Sequence, residues 1–512
     1  MGLSKSKYTL FCQCPKALWL KTYDPDKATV DPSVEARFAA GNDVGDLAMG
    51  MFGDFVEVTA KNADGSLDLE AMITKTQDCL AQGVKNICEA SFSFNDDEFG
   101  TNYCAVDILH KQDGGYAIYE VKSSTGNDTP KKNKPEDLLK YARDIAYQKW
   151  VLEKCGIKVT GTYLVRLYTE YVLDGELDIE KLFHITDMKE LVAEESVKVE
   201  NNVRLAVKVL AEKNEHICDI GECCKKPYPC AFWAYCSRSR HLPNNSVFKL
   251  YDMWFSKSLE LYKQGIVSFD DVDTKELTPT QQIQVESTLN DTIIINKEGI
   301  RKFLTKLSYP LYFLDFETEQ PVLPKFQGTS PYQQIPFQYS LHWIEHEGGE
   351  LKHTEFLGNG VDDPRRALAE QLCKDIPMDV CTTAYNKSFE CTRLKELAEA
   401  FPDLAEHLLN IADHIIDLLD PFQEGYYYAP AMDGSFSIKK VLPALFPDDP
   451  ALDYHNLTGG VQNGGDAMNI YPKMGTMTPK EREKTRKALL EYCGLDTFAM
   501  VKVWEKLREV SK

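Results

Sequence analysis

The sequence predicts an α/β protein with two sheet-bearing domains, residues 1–240 and 309–512, joined by a helical connector over 241–308. Three observations carry this expectation. Extended apolar stretches at 86–94, 102–110 and 115–123 follow one helical pattern and precede another, which leads into a fourth strand. A second set of strands opens at Tyr309. The chain of 512 residues is also longer than one hydrophobic core usually serves, so two or three domains are expected.

In chain order, the first forty residues read as helical, and the glycines at 41 and 45 punctuate them. From Leu67 to about Leu80 the apolar spacing of Leu67, Leu69, Met72, Ile73 and Leu80 suits a helix. Three strands follow, the last two joined by the turn signal Gln112-Asp113-Gly114-Gly115. A helix is expected over 136–152 and a strand over 159–168. Residues 185–217 read as mostly helical, and 218–236 are rich in cysteine. Beyond the connector, strands are expected at 309–318 and 336–345, a strand running into a helix at 382–401, and a final helix from 479 to 506.

Composition narrows the function. With no apolar window of membrane-spanning length and no signal-peptide pattern, a cytoplasmic protein without membrane partners is expected. Fifteen cysteines in a reducing compartment then point to metal before disulfides. A net charge of −21 opposes nucleic-acid binding taken alone, although acidic metal sites contribute to it. The basic runs Lys131, Lys132, Lys134 and Lys480, Arg482, Lys484, Arg486, Lys487 read as solvated faces.

Three constellations carry chemistry. In the first, Asp107 stands on one strand of a hairpin, and Glu120 and Lys122 stand on one face of the next. Carboxylates hold a hard divalent cation, and a nearby ammonium orients water or stabilises a transition state. Glu89 can complete the acidic set, and Gln148 on the following helix is a further polar contact. This segment resembles the RecB-type branch of the PD-(D/E)xK nucleases, including its CRISPR-associated and AddB-like members. The resemblance implies a restriction-endonuclease-like mixed sheet, Asp107 and Glu120 as ligands of Mg²⁺ or Mn²⁺, catalytic Lys122, and Gln148 as the trailing motif residue. Many members carry a metal-binding His where this chain has Gly45.

The second constellation is Cys224, Cys230 and Cys236, spaced with five residues between neighbours, together with a Cys-x-Cys-Pro near the start. Soft thiolates suit a [4Fe–4S] cluster or a structural zinc, and the tight Cys-x-x-Cys knuckle usual for zinc is absent. Iron–sulfur nucleases of the RecB type are similar, with one cysteine ahead of the core and three after it. That likeness implies Cys14, Cys224, Cys230 and Cys236 as the cluster ligands, with zinc the lesser alternative.

In the third, Asp315 and Glu317 alternate on one apolar strand, Glu390 lies near the head of a helix, and Tyr492 and Asp496 are four apart on another. Buried acids side by side repel unless a cation lies between them. The set resembles the DEDDy subclass of DnaQ-like 3′–5′ exonucleases on an RNase H-like fold. That likeness implies all four acids as metal ligands and Tyr492 as the residue orienting water. The second motif of that subclass normally carries Asp, whereas this chain has Asn386 and Glu390, with Asp413 and Asp417 as alternative suppliers. The segment 434–443 can meet a phosphate backbone through its amides.

The whole chain resembles a bacterial family of uncharacterised proteins that joins these two domains. The function implied is a metal-dependent nuclease acting on DNA in preference to RNA, in repair, recombination or defence, with a helicase as a fitting partner. The alternative is a nucleic-acid-binding scaffold with degenerate sites.

Overall fold

The computed structural model describes residues 2–29, 33–457 and 459–512. Residues 30–32, within the stretch expected to be helical, lie outside the described residues. The chain divides into two compact units, Met1–His241 with Val322–Tyr332, and Leu242–Pro321 with Gln333–Lys512. Both are α/β. No helix among the described residues is long and apolar enough to cross a membrane.

The first unit is built on a mixed seven-stranded sheet. Its strands are β1 (Leu3–Ser4), β2 (Val56–Glu57), β3 (Asn86–Asp96), β4 (Gly100–Gln112), β5 (Gly115–Gly126), β6 (Val159–Tyr168) and β7 (Phe183–Asp187). The order is β2-β3-β4-β5-β6-β7, with β1 parallel to β4. Strand periodicity sorts the core. Ile87, Leu109, Ile118 and Leu164 pack under helices on one face, while Cys88, Ile108, Ala117 and Val165 pack on the other. The helices Lys5–Gln13 and Pro135–Lys154 join on the first face, where Tyr8 stacks on Tyr147 and the Tyr147 hydroxyl donates to Leu3 O at 2.8 Å.

The second unit holds a five-stranded sheet ordered β11-β10-β9-β12-β13. These are β9 (Leu311–Glu319), β10 (Ile335–Ile344), β11 (Lys352–Leu357), β12 (Cys381–Ala384) and β13 (Ile415–Asp417); β8 (Ile294–Ile295) and β14 (Tyr427–Tyr428) form a separate pair. β11, β10 and β9 are antiparallel neighbours, while β12 runs parallel to both β9 and β13. Leu311 and Phe313 face a core shared with the helix Pro479–Ser511, and Tyr312, Leu314 and Phe316 face the other side. That helix starts at Pro479, the expected position, where Thr478 and Glu481 form a reciprocal capping box.

Several expectations are corrected. Gly41 and Gly45 lie inside the helix Ser33–Ala48, where buried Val44 and Ala48 outweigh the glycine penalty of about 1 kcal/mol each. Of 185–217, expected mostly helical, the helix Lys189–Ala211 forms, while 185–187 end β7 and 212–217 lie beyond the helix. Residues 242–308 are part of the second unit's own packing: Ile300 and Phe303 join its main core, and Val247, Leu250, Phe269, Leu277 and Val285 form a cluster. The division at 309 is also not a single cut. Residues 322–332 belong to the first unit, where Gly328 N donates to Leu173 O at 2.8 Å and Leu173 N to Thr329 O at 2.9 Å.

Candidate functional site

In the first unit the site forms where two strands part. The β4–β5 ladder stops at Ile108 opposite Tyr119. The side chain of Asp107 takes the next amide instead, with Val121 N donating to its Oδ2 at 2.7 Å. β3 flanks the other edge of β4, so β1 fills the wedge, pairing Leu3 and Ser4 with Asn102 and Tyr103. The chain then turns into its first helix and delivers Lys5 among the acids.

Lys5 Nζ lies 3.1 and 3.3 Å from the two oxygens of Glu120, 3.8 Å from Asp107 and 3.9 Å from Asp144. Lys122 also donates to Glu120, and reaches Asp144 at 3.2 Å. Gln148 Nε2 donates to Glu120 Oε2 at 2.6 Å, while its Oε1 is buried without a partner. Burial opposes charge on Glu120, yet Lys122 and Lys5 together hold its carboxyl well below the usual range. Burial likewise opposes charge on Lys5, but Asp144, Glu120 and Asp107 hold its ammonium well above the usual value. Asp107 is pushed up to about 6 by burial and by Glu120.

Glu89 faces Asp107 across β3–β4 at a break in the ladder, between the pairs Cys88–Ile108 and Ala90–Val106, with a left-handed φ of 57°. Burial, then Asp107, pushes it up to about 7. A strained non-glycine backbone beside such a cluster is a common mark of a functional site. The sequence-predicted Asp107, Glu120, Lys122, Gln148 and Glu89 therefore converge. Lys5 and Asp144 were not foreseen. Asp144 had a signal, four residues before Gln148 on one helical face; Lys5 had none.

The cysteines gather as well. Cys14, Cys224, Cys230 and Cys236 line one cavity, joined by Cys218 and Cys223. Cys218 had a signal, since it extends the five-residue spacing one step ahead of Cys224. Gln13 ties the leading cysteine to the trailing segment, donating to Cys223 O at 2.9 Å and Tyr228 O at 2.7 Å. Cys12 points elsewhere, accepting from Asn202 at 3.7 Å. The donor set, six thiols with no disulfide, fits a thiophilic metal group.

The second unit's acids are arranged differently. Asp315 and Glu317 follow Phe313 on the same face of β9, and Asp496 reaches them from the final helix; one oxygen of each lies within 4.8 Å of the others. Among the described residues this is the one acid or thiol group so gathered. Burial, then Asp496, pushes Glu317 up to about 8. Burial pushes Asp496 to about 6, and raises Asp315 well above the carboxylate range with help from Asp496, Glu317 and Glu390. Glu390 is 3% exposed, lifted by burial to about 8, and its Oε2 has no partner. Such mutual repulsion and an orphaned carboxylate oxygen fit a divalent cation.

Tyr492 stays protonated, since burial and the carboxyls of Asp496, Glu317 and Asp315 raise its phenol. Tyr454, not foreseen, donates to Asp496 Oδ1 at 2.7 Å. The alternatives for the second motif are not free acids at this site. Asp417 accepts from the amides of Asn386, Lys387 and Leu419 at 2.9 to 3.0 Å, and Asp413 is an exposed residue ending a helix.

Residues 312–437 match a family described as a domain of unknown function, DUF2779. The chain is also 29% identical over 236 residues to "Uncharacterized protein UU173" of Ureaplasma parvum serovar 3 (strain ATCC 700970), an alignment covering 42% of this chain and 33% of that protein. The chain thus spans about a third of the length of that curated relative.

Proposed function

We propose that the chain is a divalent-metal-dependent nuclease acting on DNA, whose second unit is a DEDD-type 3′–5′ exonuclease on an RNase H-like fold. One observation carries this reading: one carboxylate oxygen each of Asp315, Glu317 and Asp496 lies within 4.8 Å of the others. The sheet supports it, with three antiparallel strands followed by two parallel ones and the acids on the central strand. Asp315, Glu317, Asp496 and Glu390 would hold Mg²⁺ or Mn²⁺. The chemistry supplied by the bound metal is activation of water and neutralisation of charge gathering on the phosphate oxygens. Tyr492, kept neutral by its surroundings, holds the attacking water by hydrogen bonding and is not the base.

The first unit is proposed as a PD-(D/E)xK-type site of Asp107, Glu120, Lys122 and Gln148, with a structural [4Fe–4S] cluster in the cysteine cavity. A second reading, in which this site does not cut, is favoured by a specific observation. Lys5 and Lys122 already occupy Glu120, and the acids there form no compact metal-binding group among the described residues. Repair, recombination or defence is the setting proposed.

The test is anaerobic purification, iron and sulfide analysis, and cleavage of end-labelled single- and double-stranded DNA and RNA with Mn²⁺. Wild type is compared with Asp315→Ala and Lys122→Ala. Stepwise 3′ shortening that vanishes in Asp315→Ala is expected. Intact substrates under conditions where a control nuclease works would favour a non-catalytic scaffold.

A further inference from the structure

A lysine stands beside the second unit's acids without being tied to any of them. Lys439 is the second residue of the helix Ile438–Leu445, and it is exposed. Its Nζ lies 5.3 Å from the ring centroid of Tyr454 and 5.3 Å from that of Tyr492. Its hydrogen bond is a long one, to Gln462 O at 3.4 Å. Among the described residues it forms no ion pair. Its field nevertheless reaches the cluster, opposing the upward shift of both Glu317 and Asp496.

The two rings that carry this ammonium are themselves site residues: Tyr454 donates to Asp496, and Tyr492 is one turn before it. Cation–π contact holds the ammonium in place without neutralising it. Lys5 and Lys122 in the first unit spend their charge on Glu120. Lys439 has its charge still available.

We propose that Lys439 is a catalytic residue of the second unit, its ammonium binding a non-bridging oxygen of the scissile phosphate at the 3′ end of a nucleic-acid strand. This rests on the nuclease reading above. Hydrolysis adds water across the P–O bond: the water oxygen bonds to phosphorus, the bond to the 3′ oxygen breaks, and that oxygen leaves as a hydroxyl. Negative charge builds on the phosphate oxygens as this happens. Four carboxylates and divalent cations roughly cancel one another, so an additional point charge is needed to offset that build-up.

The test uses the full chain with Mn²⁺ and a 5′-labelled single strand. Lys439→Gln, Lys439→Arg and Asp315→Ala are compared with wild type for kcat, KM, Mn²⁺ affinity and thermal unfolding. Lys439→Gln is expected to lower kcat by about a hundredfold, with partial recovery in Lys439→Arg. Its Mn²⁺ affinity should be unchanged or tighter, because a repelling charge has been removed. A merely structural lysine would lower metal affinity and melting temperature together, which overturns the proposal, as does wild-type kcat in Lys439→Gln. If wild type shows no shortening that Asp315→Ala abolishes, the nuclease reading itself has failed and takes this proposal with it.

Discussion

The two acidic clusters of this protein solve the same electrostatic problem in opposite ways. In the first unit, Glu120 is fully buried and receives Lys5, Lys122 and Gln148, so its charge is compensated by the chain itself. In the second, Asp315, Glu317 and Asp496 face one another and are driven toward their protonated forms. Both clusters stand just past the last apolar residue on their own face of the strand, at Ile118 before Glu120 and Phe313 before Asp315. What separates them is the supply of cations by neighbouring elements. The comparison teaches that a motif of alternating acids does not by itself state a need for metal; the partners that reach it decide.

The sharpest way to break this contrast is to remove one charge from each cluster. Glu120→Gln strands two lysines near buried acids and is expected to destabilise the first unit by about 3–5 kcal/mol. Glu317→Gln replaces an acid that folding must hold protonated and should stabilise the metal-free second unit near neutral pH by about 1 kcal/mol or more. Thermal and urea unfolding in EDTA read both signs, and two changes of the same sign would dissolve the distinction.

pH offers a second test. Glu317 and Glu390 sit near 8 in the folded protein against about 4.5 unfolded, so the folded state binds the extra protons between those values. Stability of the metal-free second unit is therefore full below about pH 4.5 and falls as pH rises toward 8. Mn²⁺ should abolish that fall. Melting curves at pH 5 and 8, with and without Mn²⁺, check it, and a pH-independent melt would count against the raised carboxyls.

Smaller effects sharpen the picture. Lys5→Met should cost about 1.5 kcal/mol, the worth of a charged hydrogen bond, because Lys122 and Gln148 still serve Glu120. Asp417→Ala should cost about 1 kcal/mol as a lost cap and leave Mn²⁺ affinity unchanged, whereas Glu390→Ala should weaken it.

Much of this was legible in the sequence where the physics is local. The strand over 159–168 and the Asp113-Gly114 turn follow from alternation and a left-handed glycine, and the final helix starts at 479 as expected. Asp315, Glu317 and Asp496 were legible because strand and helix periods put them on definite faces. Lys5 was not, since its place depends on β1 entering a fork between strands about a hundred residues away. The helix through Gly41 and Gly45 was hidden for a similar reason: burial of Val44, a tertiary effect, outweighs local propensity. Lys439 lay in a recognised segment, but its relation to Tyr454 and Tyr492 is made by three separate elements.

The most direct test of the central claim is Mn²⁺ binding by metal-stripped protein, followed by electron paramagnetic resonance in wild type, Asp315→Ala and Asp107→Ala. The account predicts that the second unit's tight Mn²⁺ sites vanish in Asp315→Ala and survive in Asp107→Ala. Tight binding that survives loss of Asp315 and disappears with Asp107 would contradict it, and would move the metal to the cluster already holding its own cations.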